Sequence, residues 1–106
     1  MKILRVDMKS LEVTSESVSA NYERLGGRGL IARVLLNEVP PMCDPLGPEN
    51  KLIFSPGLLG GSGITTTGRL SIGGKSPLTK GVKEANAGGT AGDALGKLEI
   101  LSLIHI

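Results

Sequence analysis

Aromatic side chains are almost missing from this sequence: its 106 residues include one Tyr, one Phe and no Trp. Stacking of nucleic-acid bases is therefore poorly provided for, and a formal net charge of +2 falls far short of the basic face that a nucleic-acid binder carries. A single cysteine, Cys43, excludes an internal disulfide and excludes an iron–sulfur cluster built from this chain alone. It lies in a Pro-rich loop and reads as a buried or incidental thiol. No apolar run reaches the roughly 18 residues of a membrane span, and no leader-like segment precedes the first strand, so the expected location is the cytoplasm. Repeats at solenoid spacing are also missing. The length allows one domain with a modest core. With so few aromatics that core must use small aliphatic units, and 16 glycines add backbone entropy that folding must overcome, so only marginal stability is expected of the chain by itself.

What is present is a hydrophobic fraction of 40%, distributed in patterns that specify an α+β fold with a mixed or antiparallel sheet. Ile3, Leu4 and Val6 open a strand, Asp7 to Ser10 turns it, and Leu11 and Val13 begin its hairpin partner. A short helix is expected from Val18 to Leu25, stopped by Gly26 and Gly27. Leu30, Ile31, Val34, Leu35 and Val39 fall on one face of a helix over Gly29 to Glu38 that ends before Pro40 and Pro41. Pro40 to Asn50, with four prolines, is a loop that neither a helix nor a central strand could cross. Leu52 to Ser55 forms an apolar strand, and Pro56 to Gly63 a glycine-rich turn. Thr65 to Gly73 reads as a strand carrying Arg69, with a turn at Gly73 and Gly74 and another around Ser76 and Pro77. Val82 to Asn86 is a strand and Thr90 to Leu98 a second helix.

The stretch from Thr65 to Gly92 has the composition of an anion pocket: a glycine-lined backbone, the cations Arg69, Lys75, Lys80 and Lys83, and Glu84 as its one acid within the run to Gly89. Its strand, its Gly88-Gly89 turn and the following helix N-terminus would bring free N–H donors together. Arg69 would add a planar, permanently charged fork. Composition alone equally describes ordinary turns and solvated lysines.

Order along the chain distinguishes these readings. LGGRGL at Leu25 to Leu30, DPLGPENKLIFSPGLL at Asp44 to Leu59, TTGR ending at Arg69, KSPLT at Lys75 to Thr79, and ANAGG at Ala85 to Gly89 with Gly92 following occur in one order across about ninety residues. In this the chain resembles the N-terminal domain of the aldehyde ferredoxin oxidoreductase family, the tungsten- or molybdenum-pterin enzymes, in truncated form. The resemblance implies a β-rich base for a bis-pyranopterin whose phosphates are bridged by magnesium. Arg69 would contact the pterin and lie toward a [4Fe–4S] cluster. Asn86 would contact the cofactor and offer its main-chain carbonyl to magnesium, and Gly88 would pack against the pterin or its phosphate. Lys75 and Lys83 would add electrostatic attraction, and Arg28 a structural first turn of the helix that Gly-Arg-Gly starts. No catalytic residue is assigned.

The implied reaction is oxidation of an aldehyde to a carboxylate with electrons passed to ferredoxin. The cluster cysteines, second pterin-binding half and substrate channel of the family lie downstream of this stretch, so the polypeptide alone is expected to be inactive. After about Lys97 the likeness fades, dividing the chain into a cofactor-base domain over 1–97 and a divergent tail over 98–106. The tail reads as foreign, from a truncated or frame-shifted frame, or as an apolar strand with His105 exposed at its end and untied rather than ligating a metal. Exposed sheet edges would favour homo-oligomers. Two other classes compete: a partial dinucleotide-binding unit, because Ala87 to Gly92 is one residue away from G-x-G-x-x-G, and a small non-catalytic β-rich scaffold whose glycines are only turns. Nucleic acid and membrane are not expected partners.

Overall fold

The computed structural model describes residues 1–65 and 67–105. The alternating residues at the start make β1 (Lys2–Asp7) and β2 (Glu12–Ser17), an antiparallel pair. Their turn is held by Asp7, whose Oδ1 accepts the N–H groups of Lys9 (2.9 Å) and Ser10 (3.3 Å). These two bonds favour the charged form and hold the Asp7 carboxyl below its usual range. α1 (Gly27–Glu38) follows, then β3 (Leu52–Pro56), β4 (Leu70–Lys75), β5 (Val82–Ala87), α2 (Ala91–Lys97) and β6 (Ile100–His105). The strands form one mixed sheet in the order β2-β1-β6-β3-β4-β5. Among the described residues only the β1–β6 pair is parallel; the other pairs are antiparallel. At Lys2 and Ile3 the register steps from Ile100 to Ser102, so Leu101 is the extra residue of a bulge.

α1 buries Leu30, Ile31, Val34 and Leu35, the pairs one turn apart that its periodicity predicts. They pack on one face of the sheet with Ile3, Ile53, Ile104, Leu101, Tyr22 and Val39. The cross-strand partners Ile53, Gly73 and Ile104 share that face. On the other face Leu4, Leu103, Phe54 and Ile72 stand in one cross-strand row and are half-buried.

Three expectations are corrected. Val18 to Leu25 is not a helix: after two residues outside regular structure the chain makes one turn, with Tyr22 and Glu23 donating to the Ser19 carbonyl, and Arg24 at φ +63° breaks it. Gly73 and Gly74 do not form a turn but continue β4. A Cβ at Gly73 would come within 2.7 Å of the Ile31 side chain, and one at Gly74 within 2.7 Å of the Lys51 carbonyl, so close packing rather than chain reversal requires them. Arg69 precedes β4 instead of standing within a strand from Thr65, and Thr66 of that stretch lies outside the described residues. The last segment forms β6, between β1 and β3. The expected exposure of the His105 side chain falls outside what the structure describes. No described helix is long and apolar enough to cross a membrane.

Candidate functional site

The N-terminus of α1 meets the sheet where β4 begins and β5 ends. Gly26 is extended (φ −153°) and Gly27 turns at φ +55°, and a Cβ at Gly26 would lie 2.9 Å from the Leu58 amide nitrogen. The Gly27 N–H donates to Ser55 Oγ (3.1 Å), which lies within 3.0 Å of the Leu101 carbonyl; a buried hydroxyl thus ties the helix start to β3 and β6. The first turn thereby holds Arg28 over a pocket of about 580 Å³ lined by Gly27, Arg28, Gly57, Thr67, Arg69, Ser71 and Asn86.

Register explains the pocket wall. Ser71 on β4 is the cross-strand partner of Asn86 on β5, so both side chains emerge on the face that carries α1. Ser71 Oγ donates to Asn86 Oδ1 (2.6 Å), and Asn86 Nδ2 donates to Glu84 Oε2 (2.8 Å). Glu84 Oε1 lies 3.7 Å from an Arg28 guanidinium nitrogen. Asn86 is therefore oriented from both ends of its amide. Arg69 is exposed at the mouth, with no hydrogen bond or ion pair to its guanidinium among the described residues.

The expected residues Arg69 and Asn86 thus come together in one pocket. Gly88 lies two residues past Asn86, beyond β5, and is not among the described lining residues. A Cβ at Gly57 or Gly88 would meet nothing within 4 Å, so the backbone at both is open to close approach. Lys75 and Lys83 line a different hollow, with Asn50 and Gly74. Lys75 Nζ is engaged by the carbonyls of Pro41 (2.7 Å) and Cys43 (2.6 Å), tying down the proline-rich loop rather than supplying a free charge. The Gly88-Gly89 turn does precede α2, but the helix start that lines the pocket is that of α1. Arg28, Ser71, Thr67 and Gly57 were not anticipated there. The Gly-Arg-Gly helix start was a usable signal for Arg28; Ser71 required the β4–β5 register.

A second polar cluster lies at the opposite end of α1. Arg5 donates to both Glu38 oxygens (2.6 and 3.0 Å), Tyr22 Oη donates to Oε2 (2.5 Å), and Lys51 Nζ lies 3.3 Å from Oε1. Burial by itself would raise the Glu38 carboxyl, but the hydrogen bonds from Arg5 and Tyr22 and the charges of Arg5 and Lys51 outweigh it and pull it down to about 2. The bond to Glu38 raises Arg5 above its ordinary value; burial and the same carboxylate raise Tyr22. Every atom of the cluster is engaged within the fold, which marks it as a clamp on the helix end.

Chemically, the pocket offers two guanidinium groups, the hydroxyls of Thr67 and Ser71 and an oriented amide beside open glycines, a polar lining that fits a phosphorylated polar ring. Among the described residues no group of three or more His, Cys, Asp or Glu could hold a metal ion. The dinucleotide alternative does not fit: the strand before Gly88 is antiparallel to β4 at the sheet edge, and the next strand lies between β1 and β3. A Rossmann site needs parallel neighbours around its glycine turn.

Comparison with known proteins agrees with this geometry. The profile of the aldehyde ferredoxin oxidoreductase N-terminal domain matches residues 3–104. The chain is 44% identical over 96 residues to a tungsten-containing aldehyde ferredoxin oxidoreductase of Thermococcus kodakarensis, and 40% identical over 96 residues to that of Pyrococcus furiosus. Each match covers 89% of this chain and 16% of the relative. Among solved structures, the active site complex of benzoyl coenzyme A reductase with 1,5-dienoyl-CoA superposes with a TM-score of 0.91 at 32% identity, over 98% of this chain and 16% of that one. The chain therefore spans about one sixth of the length of these proteins. With the ordered motifs, the mixed six-stranded sheet and the pocket beside α1 all in place, the chain belongs to the aldehyde ferredoxin oxidoreductase family, as its N-terminal domain.

Proposed function

We propose that this domain is the N-terminal part of the cofactor base in a tungsten- or molybdenum-pterin oxidoreductase that converts an aldehyde to a carboxylate and passes two electrons to ferredoxin. The observation that carries the reading is the meeting of Arg69 and Asn86 in one pocket, next to backbone at Gly57 and Gly88 with room for a ring to approach. The 44% identity to a tungsten-containing aldehyde enzyme supports this assignment more directly than the 32% identity to a benzoyl-CoA reductase.

When bound, the metal and pterin supply the oxygen-transfer and redox chemistry. This chain's residues hold and orient. Arg69 offers its guanidinium to the pterin or its phosphate, and Asn86 offers its amide, with its main-chain carbonyl available to a hard cation such as magnesium. Gly88 lets the backbone lie against the ring. A [4Fe–4S] cluster requires cysteines from elsewhere, because the chain has one cysteine, and by the same reasoning these 106 residues alone are inactive. The reading places the enzyme in the cytoplasm, with ferredoxin and a small aldehyde as partners and self-association through the exposed sheet edges.

The test is to express the complete gene product containing this chain anaerobically and measure its tungsten, molybdenum and pterin content and its aldehyde-dependent reduction of ferredoxin. Bound metal and pterin, both reduced by Arg69→Ala, are expected. A complete product with its cluster cysteines that binds neither would overturn the reading.

A further inference from the structure

We infer that Arg28 is a second anchor for the anionic group in this pocket, masked by Glu84 until the anion arrives. The inference rests on the proposed reading of the pocket as an anionic-cofactor site. Arg28 and Arg69 both line the pocket, and their positions differ in what holds them: among the described residues the Arg69 guanidinium has no hydrogen-bond or ion-pair partner, whereas Arg28 has one loose contact to Glu84 at 3.7 Å. The Arg28 side chain is 71% exposed and the Glu84 side chain 31%. A single long contact at an exposed guanidinium is worth little and is easily exchanged.

Glu84 is better fixed than its cation. It shares the α1-facing side of β5 with Asn86, and the Asn86 amide donates to its other oxygen at 2.8 Å. The bare Gly73 opposite leaves room, since a Cβ there would sit 3.5 Å from that of Glu84. Glu84 therefore keeps one hydrogen bond when Arg28 leaves. Before an anion binds, Glu84 cancels one of two like charges; when a phosphate-class anion enters, the flexible Arg28 side chain turns from Glu84 to the ligand, and its planar fork can take two oxygens at once. Arg28 is rooted in the first turn of a rigid helix, so only the side chain need move.

The 106-residue chain is titrated with inorganic pyrophosphate, followed by calorimetry and by the amide signals of residues 67–71 and 86–89. Arg28→Gln is expected to weaken binding about tenfold. Glu84→Gln keeps the acceptor for Asn86 but removes the competing charge, and is expected to tighten binding about threefold. Lys9→Gln, at the opposite edge of the sheet, controls for net charge, and urea midpoints check that all variants fold. A role for the pair in merely stabilising the fold predicts the same sign for both variants, so weakening by both overturns the inference. An unchanged affinity in Arg28→Gln, with loss in Arg69→Gln, overturns it too while sparing the proposed pocket. If the folded wild-type chain binds no pyrophosphate, the inference falls, whereas the proposed function is decided by the metal and pterin content of the complete product.

Discussion

The two helices are attached to the rest of the fold by different physics. α1 is held by volume: Leu30, Ile31, Val34 and Leu35 fill the space above the sheet, and Glu38 clamps its end through Arg5, Tyr22 and Lys51. α2 is seven residues long, and Gly92 is its buried residue. It docks backbone to backbone. A Cβ at Gly92 would lie 2.6 Å from the Gly68 carbonyl oxygen, one at Gly96 would overlap the Gly60 carbonyl, and Asp93 accepts the Gly61 N–H at 3.0 Å. A helix attached by aliphatic side chains tolerates changes of shape that keep volume, whereas one attached by main-chain contact tolerates no added atom. The pocket sits at the start of the first kind of helix, where an arginine is aimed by a well-packed frame.

This contrast can be broken most sharply at Gly96. Gly96→Ala should cost about 3 kcal/mol or more, because the obstructing group is a carbonyl that cannot swing aside; urea unfolding of the 106-residue chain measures it, and a loss under 1 kcal/mol would show that α2 is not docked in this way. Leu30→Ala should cost about 3 kcal/mol, and Leu30→Met no more than about 1.5 kcal/mol, since the second keeps the volume. If the two cost the same, volume is not what holds α1.

Glu38→Gln probes the other end of α1 and should cost about 1–3 kcal/mol through the charge-assisted bonds it loses. The sign with pH follows from titration. The folded carboxyl lies near 2, below its ordinary 4.5, so its contribution is complete above the unfolded value and drains away as pH falls from there toward about 2. Over that window the glutamine variant should lose less stability than the wild type; parallel acid profiles would discount the clamp. The smallest effect is expected at Ser102, whose buried hydroxyl has no hydrogen-bond partner among the described residues. Ser102→Ala should leave stability within about 0.5 kcal/mol or raise it, because nothing bonded is removed. A clear loss by thermal melting would reveal a hidden partner.

What could be read in advance, and what could not, divides along the same line. α1 was legible because its apolar residues recur one turn apart and Pro40 stops it, both local facts. The β1–β2 hairpin, β3, β5 and α2 were legible for similar reasons. Gly73 and Gly74 were misread because what requires glycine there is Ile31 and Lys51, residues remote in sequence. Val18 to Leu25 resembled a capped helix, but its spacing cannot reveal that Arg24 takes a positive φ and breaks it after one turn. Of the site, Arg69 and Asn86 were named in advance from ordered motifs, and Arg28 was assigned to helix structure alone. Ser71 was invisible until β4 paired with β5, since a shift of one residue would have turned it to the other face.

By itself, then, the sequence determined which segments are helix and which are strand wherever periodicity and proline decide locally, the family through the order of its glycine- and arginine-bearing motifs, and the absence of a self-contained cysteine cluster. The tertiary structure alone decided that β6 lies between β1 and β3, that several glycines are packing joints rather than ligand turns, and that the pocket gathers at α1 instead of α2. The physical reason is range. Backbone propensity and side-chain period act over a few residues, whereas strand register and close backbone approach depend on partners tens of residues away, and those partners exist only once the chain has folded.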